Sequence, residues 1–315
     1  MVESVIKQTD VFQLVGYCLP ENEKEIYPEI IELLNGYDEL TLEEALNNPK
    51  IEAVIIQTEE IYTSKYVKLA AAHNKHVHME KAGGIDRREF TEAVLAVKQS
   101  GKVFHTGYMY RYNPCIIKLL QDIQAGELGD IISVEAQMNC ILNEDFRSWL
   151  GRLPGGMMYY LGCHLVDLVL RIQGKPLSVL PLSRSTGYDG INSQDFGMAV
   201  FEYQNGVSFV KTSAMERGGF LRRQLVVTGT KKTVELKPLE QYLEGGAELF
   251  TGVTEYDSLD WHRQGTYVRS ASFNRYDSMM KSFAEMVLGE KENPNTYNYE
   301  IMLHDYILKA CGEKF

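Results

Sequence analysis

At 315 residues the chain exceeds the size at which a single hydrophobic core stops growing, and its 44% apolar content can fill more than one. A formal net charge of -11 argues against nucleic acid or an anionic membrane surface as the main partner. No apolar run reaches the length of a membrane span, and Met1-Val2-Glu3-Ser4 lacks the charged and apolar regions of a secretory leader, so a soluble, cytoplasmic protein is expected.

Met1 to Asp10 has the pattern of a helix end, Val11 to Cys18 that of a strand, and Pro20 to Gly36 that of a turn and a helix. Thr41 to Asn47 reads as a short helix, capped by Thr41 with Glu44 three residues on. A buried strand follows at Ala53 to Gln57, then a helix running to Asn74 and a second parallel strand ending at Glu80. Asp86 has the position of a helix cap and Gly101 that of its stop, with Phe90, Val94 and Val97 on one face between them. Lys102 to Tyr108 makes another strand. This alternation predicts a doubly wound parallel sheet over roughly the first third of the chain.

Beyond Tyr108 the pattern changes. Pro114 opens a helix to about Gly126, Ile131 to Ile141 is a long strand, and Gly155-Gly156 leads into a helix from Met157 to Gln173. Four antiparallel strands are expected at Phe196 to Tyr203, Val207 to Ala214, Arg223 to Thr230 and Thr233 to Leu239, the first two joined at Asn205-Gly206. Gly245 to Thr266 shows little periodicity and reads as a surface excursion. Helices near Asp277 to Leu288 and Glu300 to Cys311 close the chain. The fold class is therefore α/β: a doubly wound, Rossmann-like parallel sheet over residues 1–106, which the resemblance given below makes incomplete by its first strand, then an α+β domain with an open, mostly antiparallel sheet over 107–315. Cysteines 18, 115, 140, 163 and 311 are scattered without C-x-x-C spacing, as reduced thiols would be.

Ligands of open α/β sheets bind outside the carboxyl ends of the strands, which makes Glu80 and Lys81 candidates for a site. On a regular helix, Tyr160, His164 and Asp167 fall at i, i+4 and i+7 and share a face. His76, His78 and Glu80 share a strand face as well, a set that suits zinc or manganese. A strand covered by helices on both sides leaves little room for such an ion, so no metal site is expected.

Four stretches carry a family resemblance. They are Glu80-Lys81 after a strand, Gly107-Tyr108-Met109-Tyr110-Arg111-Tyr112-Asn113-Pro114, the run from Gly155-Gly156 to Gly162-Cys163-His164-Leu165-Val166-Asp167, and Gly289-Glu290-Lys291-Glu292-Asn293-Pro294. In order and spacing they resemble the Gfo/Idh/MocA family of NAD(P)-dependent oxidoreductases over nearly the whole chain. The resemblance implies a sugar, polyol or related hydroxyl or carbonyl substrate and NAD or NADP as cofactor. It places Lys81 near the reacting hydroxyl and the nicotinamide, with Glu80 beside it, and makes His164 the proton acceptor or its orienting partner. Tyr160 stands where the family often has Asp. Arg111, Asn113 and Asp167 become candidate substrate contacts, and the second domain's sheet face a surface for a homodimer or homotetramer.

Two departures bear on the cofactor. No two glycines in the chain have the G-x-G spacing of the family's phosphate-binding turn, and Leu19 stands where the family commonly has a ribose-binding Asp. The resemblance also implies a first strand between Val11 to Cys18 and Ala53 to Gln57 that has no counterpart in this sequence; backbone left unpaired there would lie in the core at high cost, so those two strands are expected to close up and pair, and weak or absent NAD(P) binding is expected. A non-catalytic or regulatory family member, or a hydrolase or lyase reusing the pocket, are the alternatives.

Overall fold

The computed structural model describes residues 1–19 and 28–315, so the turn and helix expected from Pro20 lie partly outside the described residues; Pro28–Leu33 is helical. The chain divides into two compact units. One comprises Met1–Gly107 with Tyr276–Glu300, the other Tyr108–Arg275 with Ile301–Phe315.

The first unit is built on a parallel sheet of Ala53–Ile56, His76–Met79 and Phe104–Thr106, in that order. Its connections are the helices Glu60–Ala72 and Arg87–Gln99. Local chemistry explains where helices begin. Thr41 and Glu44 form a reciprocal capping box at Leu42–Asn47, and the Asp86 carboxylate accepts from the Glu89 N–H at 2.8 Å. Val77 and Met79 on the middle strand and Val94 and Val97 on the second helix are fully buried.

The expected closure of the sheet does not occur. Gly16–Tyr17 pairs in parallel with Asp38–Glu39 as a separate two-stranded sheet, and among the described residues Ala53–Ile56 is an edge strand. The expectation assumed that unpaired backbone there would lie in the core. Ala53, Val54 and Ile55 are instead only half-buried, so the edge lies close to solvent.

The second unit carries an eight-stranded sheet. Its order is Thr266–Arg269, Gly252–Tyr256, Thr233–Leu236, Gln224–Gly229, Ile131–Asn139, Gly206–Ser213, Phe196–Tyr203 and Ser178–Pro181. Ile131–Asn139 and Gly206–Ser213 run parallel, and every other pair within it is antiparallel. The helix Cys163–Gln173 packs against Ile131–Asn139 and Gly206–Ser213, burying Leu165, Val166, Leu168 and Val169. On Gly206–Ser213, Ser208, Val210 and Thr212 face the core, while Val207, Phe209 and Lys211 face outward. The region read as a surface excursion in fact supplies two strands, Gly252–Tyr256 and Thr266–Arg269, which extend the sheet as a hairpin. No helix among the described residues is long and apolar enough to cross a membrane.

The Gly155-Gly156 pair has a steric cause. Both have positive φ, and a Cβ on Gly156 would stand 2.3 Å from the Gln194 carbonyl oxygen. A Cβ on Gly155 would meet the Cys311 backbone at 2.7 Å. The chain can enter the segment leading to His164 only through residues without side chains.

Candidate functional site

In the first unit, the register pairs Ile56 with Met79 and Met79 with Thr106. Residues just beyond these therefore gather at the carboxyl edge of the sheet. The Glu80 N–H donates to the Ile56 carbonyl at 3.0 Å, and the Gly107 N–H to the Met79 carbonyl at 2.8 Å. The Glu80 carboxylate turns back to accept from the Lys81 N–H at 3.1 Å, and it lies so close to Gly107 that a Cβ there would sit 3.0 Å away. The Lys81–Ala82 peptide is cis, and both Glu80 and Lys81 are half-buried.

A third charged group at this edge escaped sequence reasoning. Glu60, the first residue of its helix, is only 9% exposed. Burial raises its carboxyl above the ordinary value; the Lys81 ammonium opposes that shift, and Glu80 and Glu59 reinforce it.

The histidines on the neighbouring strand serve another end. His78 is fully buried, its Nδ1 2.6 Å from Nδ1 of His105, with the Phe283 ring packed against both. One ring must donate and the other accept, which requires the accepting imidazole to be neutral. The His76 Nδ1 accepts from the Val103 N–H at 3.1 Å. Among the described residues no three His, Cys, Asp or Glu side chains gather as a metal site.

In the second unit, Met109–Tyr112 forms a 3₁₀ turn and Asn113 caps the helix Pro114–Gln124, accepting from the Cys115 and Ile116 N–H groups. The Asn113 amide also donates to the Thr251 hydroxyl at 3.0 Å. Arg111 grips Asp167 through two hydrogen bonds of 2.9 Å, and the Arg171 Nε donates to the same carboxylate. Arg111, Asn113 and Asp167 thus spend polar atoms inside the unit, joining the Tyr108–Asn113 segment to the helix of His164.

His164 is 4% exposed and stands edge-on to two tyrosine rings, Tyr108 at 5.7 Å and Tyr110 at 5.6 Å between centroids. The Arg111 guanidinium covers the Tyr108 ring at 4.4 Å. The Tyr110 hydroxyl donates to Glu240 at 2.9 Å, and burial, followed by that carboxylate, pushes it well above the usual phenol range. Glu240 is in turn held by Arg223 and Arg275. Neither tyrosine stood out beforehand, although both lie in the Tyr108-to-Pro114 run.

Tyr160 keeps different company. Met158–Gly162 is a wide π-helical turn, so the regular spacing assumed for Tyr160, His164 and Asp167 is interrupted. The half-buried Tyr160 ring packs against Phe146 at 5.2 Å and Trp149 at 5.9 Å, both on the short helix Glu144–Trp149. Lys81 and Glu80 belong to the first unit; Tyr160, His164, Arg111, Asn113 and Asp167 belong to the second.

Residues 116–235 match the GFO/IDH/MocA C-terminal domain. The chain thus carries the C-terminal domain of that family, and the relatives it matches include oxidoreductases. Among its relatives, the uncharacterised oxidoreductase YhhX of Escherichia coli is 25% identical over 256 residues, 76% of this chain and 70% of YhhX. The scyllo-inositol 2-dehydrogenase (NADP+) IolW of Bacillus subtilis is 27% identical over 44% of this chain and 39% of IolW. In fold, the chain is similar to KijD10, a 3-ketoreductase from Actinomadura kijaniata in complex with NADP and TDP-benzene, with a TM-score of 0.79 at 13% identity over 97% of this chain and 90% of that one. The fold that this structure shares with the chain joins a parallel Rossmann-like sheet to a larger mixed sheet.

The buried histidine pair generates a pH dependence. Burial pushes His78 down to about 3, below its unfolded value, so the neutral pair contributes stability above the unfolded pKa that is lost as pH falls toward the folded one. The thermal midpoint is expected to drop between about pH 6.5 and pH 3, and His78→Gln should flatten that part of the curve in calorimetric scans.

Proposed function

We propose that the chain is a Gfo/Idh/MocA-type oxidoreductase acting on the hydroxyl or carbonyl group of a sugar, polyol or related compound. The observation that carries the reading is His164: a buried imidazole set edge-on to two tyrosine rings, on a helix anchored by the Arg111–Asp167 pair. The substrate class draws on the family and on the names of relatives, an inositol dehydrogenase and a 1,5-anhydro-D-fructose reductase among them.

Moving a hydride to or from carbon requires a proton to leave or reach the attached oxygen. His164 in the second unit and Lys81 in the first are the groups proposed to take or give it, with Tyr160 in a supporting part. Arg111 and Asp167 hold the His164 helix in place.

By family resemblance the redox partner is NAD or NADP, yet the residues present do not fit its pyrophosphate and ribose end. The chain has no G-x-G pair, and Gly16 is pressed against its neighbour strand, its Cβ position 2.6 Å from the Asp38 carbonyl oxygen, rather than set in an open cradle. Leu19 offers no carboxylate to a ribose hydroxyl. The chain is therefore proposed to bind NAD(P) weakly or not at all. The same misfit favours a second reading, a non-catalytic or regulatory family member.

The outer face of the large sheet, where Val200, Phe209 and Val226 lie in one register row with Glu135 between the last two, is the surface proposed to pair subunits into a homodimer or homotetramer.

Loss of a positioned acid or base costs ~10²- to 10⁴-fold in rate. Lys81→Met and His164→Ala should each lose turnover on that scale in a polyol oxidation assay, and Tyr160→Phe should lose less; near-normal rates in both single variants would remove these residues from the chemistry. Calorimetric titration with NAD and NADP should show binding weaker than micromolar, and a micromolar dissociation constant would contradict the misfit. Light scattering at micromolar protein should give a dimer or tetramer mass, against which a monomer would count.

A further inference from the structure

The helix Glu144–Trp149 is six residues long, too short to hold its own shape in water. Asn143 caps it, accepting from the Phe146 N–H at 2.9 Å, but a cap sets where a helix starts and not where it lies. Phe146 and Trp149 fall at i and i+3 on one face, and that face meets the Tyr160 ring. Arg147, the next residue after Phe146, leaves from a different face.

The Arg147 side chain is 2% exposed, and a guanidinium so buried is costly unless charges and hydrogen bonds meet it. The partners that meet it come from one loop. Arg147 forms an ion pair with Asp189, its Nη1 donates to the Tyr188 carbonyl at 3.3 Å and stands 3.6 Å from the Asp195 carboxylate, and its guanidinium lies over the Tyr188 ring at 5.5 Å. Asp195 is fully buried and is itself fixed, accepting from the Thr186 N–H at 2.8 Å and the Thr186 hydroxyl at 2.7 Å. Asp189 has a φ of 55°, a left-handed backbone uncommon outside glycine, and it is the residue whose carboxylate reaches the arginine.

The far end of the same loop reaches the other side of the aromatic cluster. The Gln194 carbonyl accepts from the Met157 N–H at 2.8 Å, at the entry to the π-helical turn that carries Tyr160. One loop thus grips both elements of the cluster, the helix of Phe146 and Trp149 through Arg147 and the turn of Tyr160 through Met157.

We propose that Arg147 is a positioning residue for Tyr160: held by Asp189 and Asp195, it sets the helix that presses Phe146 and Trp149 on the Tyr160 ring, and so keeps the ring and its hydroxyl in one orientation. The part this plays in catalysis rests on the reading of Tyr160 as a supporting group in proton transfer. The hold itself is a matter of charge and packing within the second unit and can be measured without substrate or cofactor.

In the test, Tyr160 is replaced by 3-fluorotyrosine and its fluorine resonance is read by NMR, since packed rings displace that resonance from the position it has in the free amino acid. Asp189→Asn, at a side chain 28% exposed, and Arg147→Met should each carry the resonance part of the way back toward the free position. Phe146→Ala, which removes one packed ring outright, marks the size of a full release. Arg147→Lys keeps the charge without the forked donor and should fall between Arg147→Met and the wild type. A merely stabilising role for Arg147 would lower the thermal midpoint and leave the resonance in place in the folded variants, and that result would overturn the proposal. Should circular dichroism show Arg147→Met unfolded, the Asp189→Asn resonance decides alone: moved toward the free position it supports the hold, and unmoved it overturns it. Because no turnover is read, loss of the oxidoreductase reading in the polyol assay and loss of this hold are separate results.

Discussion

Taking a guanidinium and a carboxylate out of water is expensive, and the second unit does so at Arg111 and Asp167, whose side chains are 3% and 1% exposed. The arrangement is stable because the match is nearly complete. Two parallel hydrogen bonds join the fork of Arg111 to the carboxylate, and Arg171 supplies a further donor one helical turn away. Removing either partner would leave a buried charge exposed to no solvent, a loss of about 3–5 kcal/mol. His164 lies in the chain between Asp167 and the π-helical turn, on the helix that this pair holds. The tyrosines that flank it come from the segment at the other end of the ion pair, and one clamp thereby fixes both the imidazole and its walls.

The first unit solves a different problem, that of strand ends. Its parallel strands are short, four, four and three residues, and their carboxyl ends are finished by backbone donors from Glu80 and Gly107 rather than by further ladder. Acidic and basic side chains are thus delivered to a rim where helix, loop and strand meet. Glu60, only 9% exposed, is buried at that rim beside the half-buried Glu80 and Lys81.

How much of this was legible beforehand depended on how local the cause was. Thr41 with Glu44 and Asp86 before its helix act within one turn, and both caps appear where the residue pattern puts them, as does the helix that Pro114 opens. The strand Gly206–Ser213 was legible because one face is wet and the other dry. The hairpin of Gly252–Tyr256 and Thr266–Arg269 was not: Thr266–Arg269 is exposed at every residue, so no alternation marks it. The π-helical turn Met158–Gly162 was not legible either: no residue pattern in it departs from that of a regular helix, although Met158 lies so close to Gly162 that a Cβ there would be 2.4 Å from its sulfur. Glu60 reads in sequence as an ordinary helix-start acid, and only the structure reveals that it is buried. Lys81 was legible from its place at a strand end and His164 from a helix face, with resemblance supplying their roles; the rings of Tyr108 and Tyr110 beside His164 were not.

The hairpin has an optical consequence. The chain contains two tryptophans, and they occupy opposite environments. Trp261, in the loop joining the hairpin strands, is 92% exposed, whereas Trp149 is half-buried against Phe146 and Tyr160. An indole in water emits further to the red and meets dissolved quenchers freely; one packed among rings does neither. Intrinsic fluorescence of the unlabelled protein therefore separates into a red, iodide-quenchable component from the hairpin and a bluer, protected one that begins four residues from His164 at Tyr160. Events near the imidazole and events at the sheet edge are distinguishable by colour in a single emission spectrum.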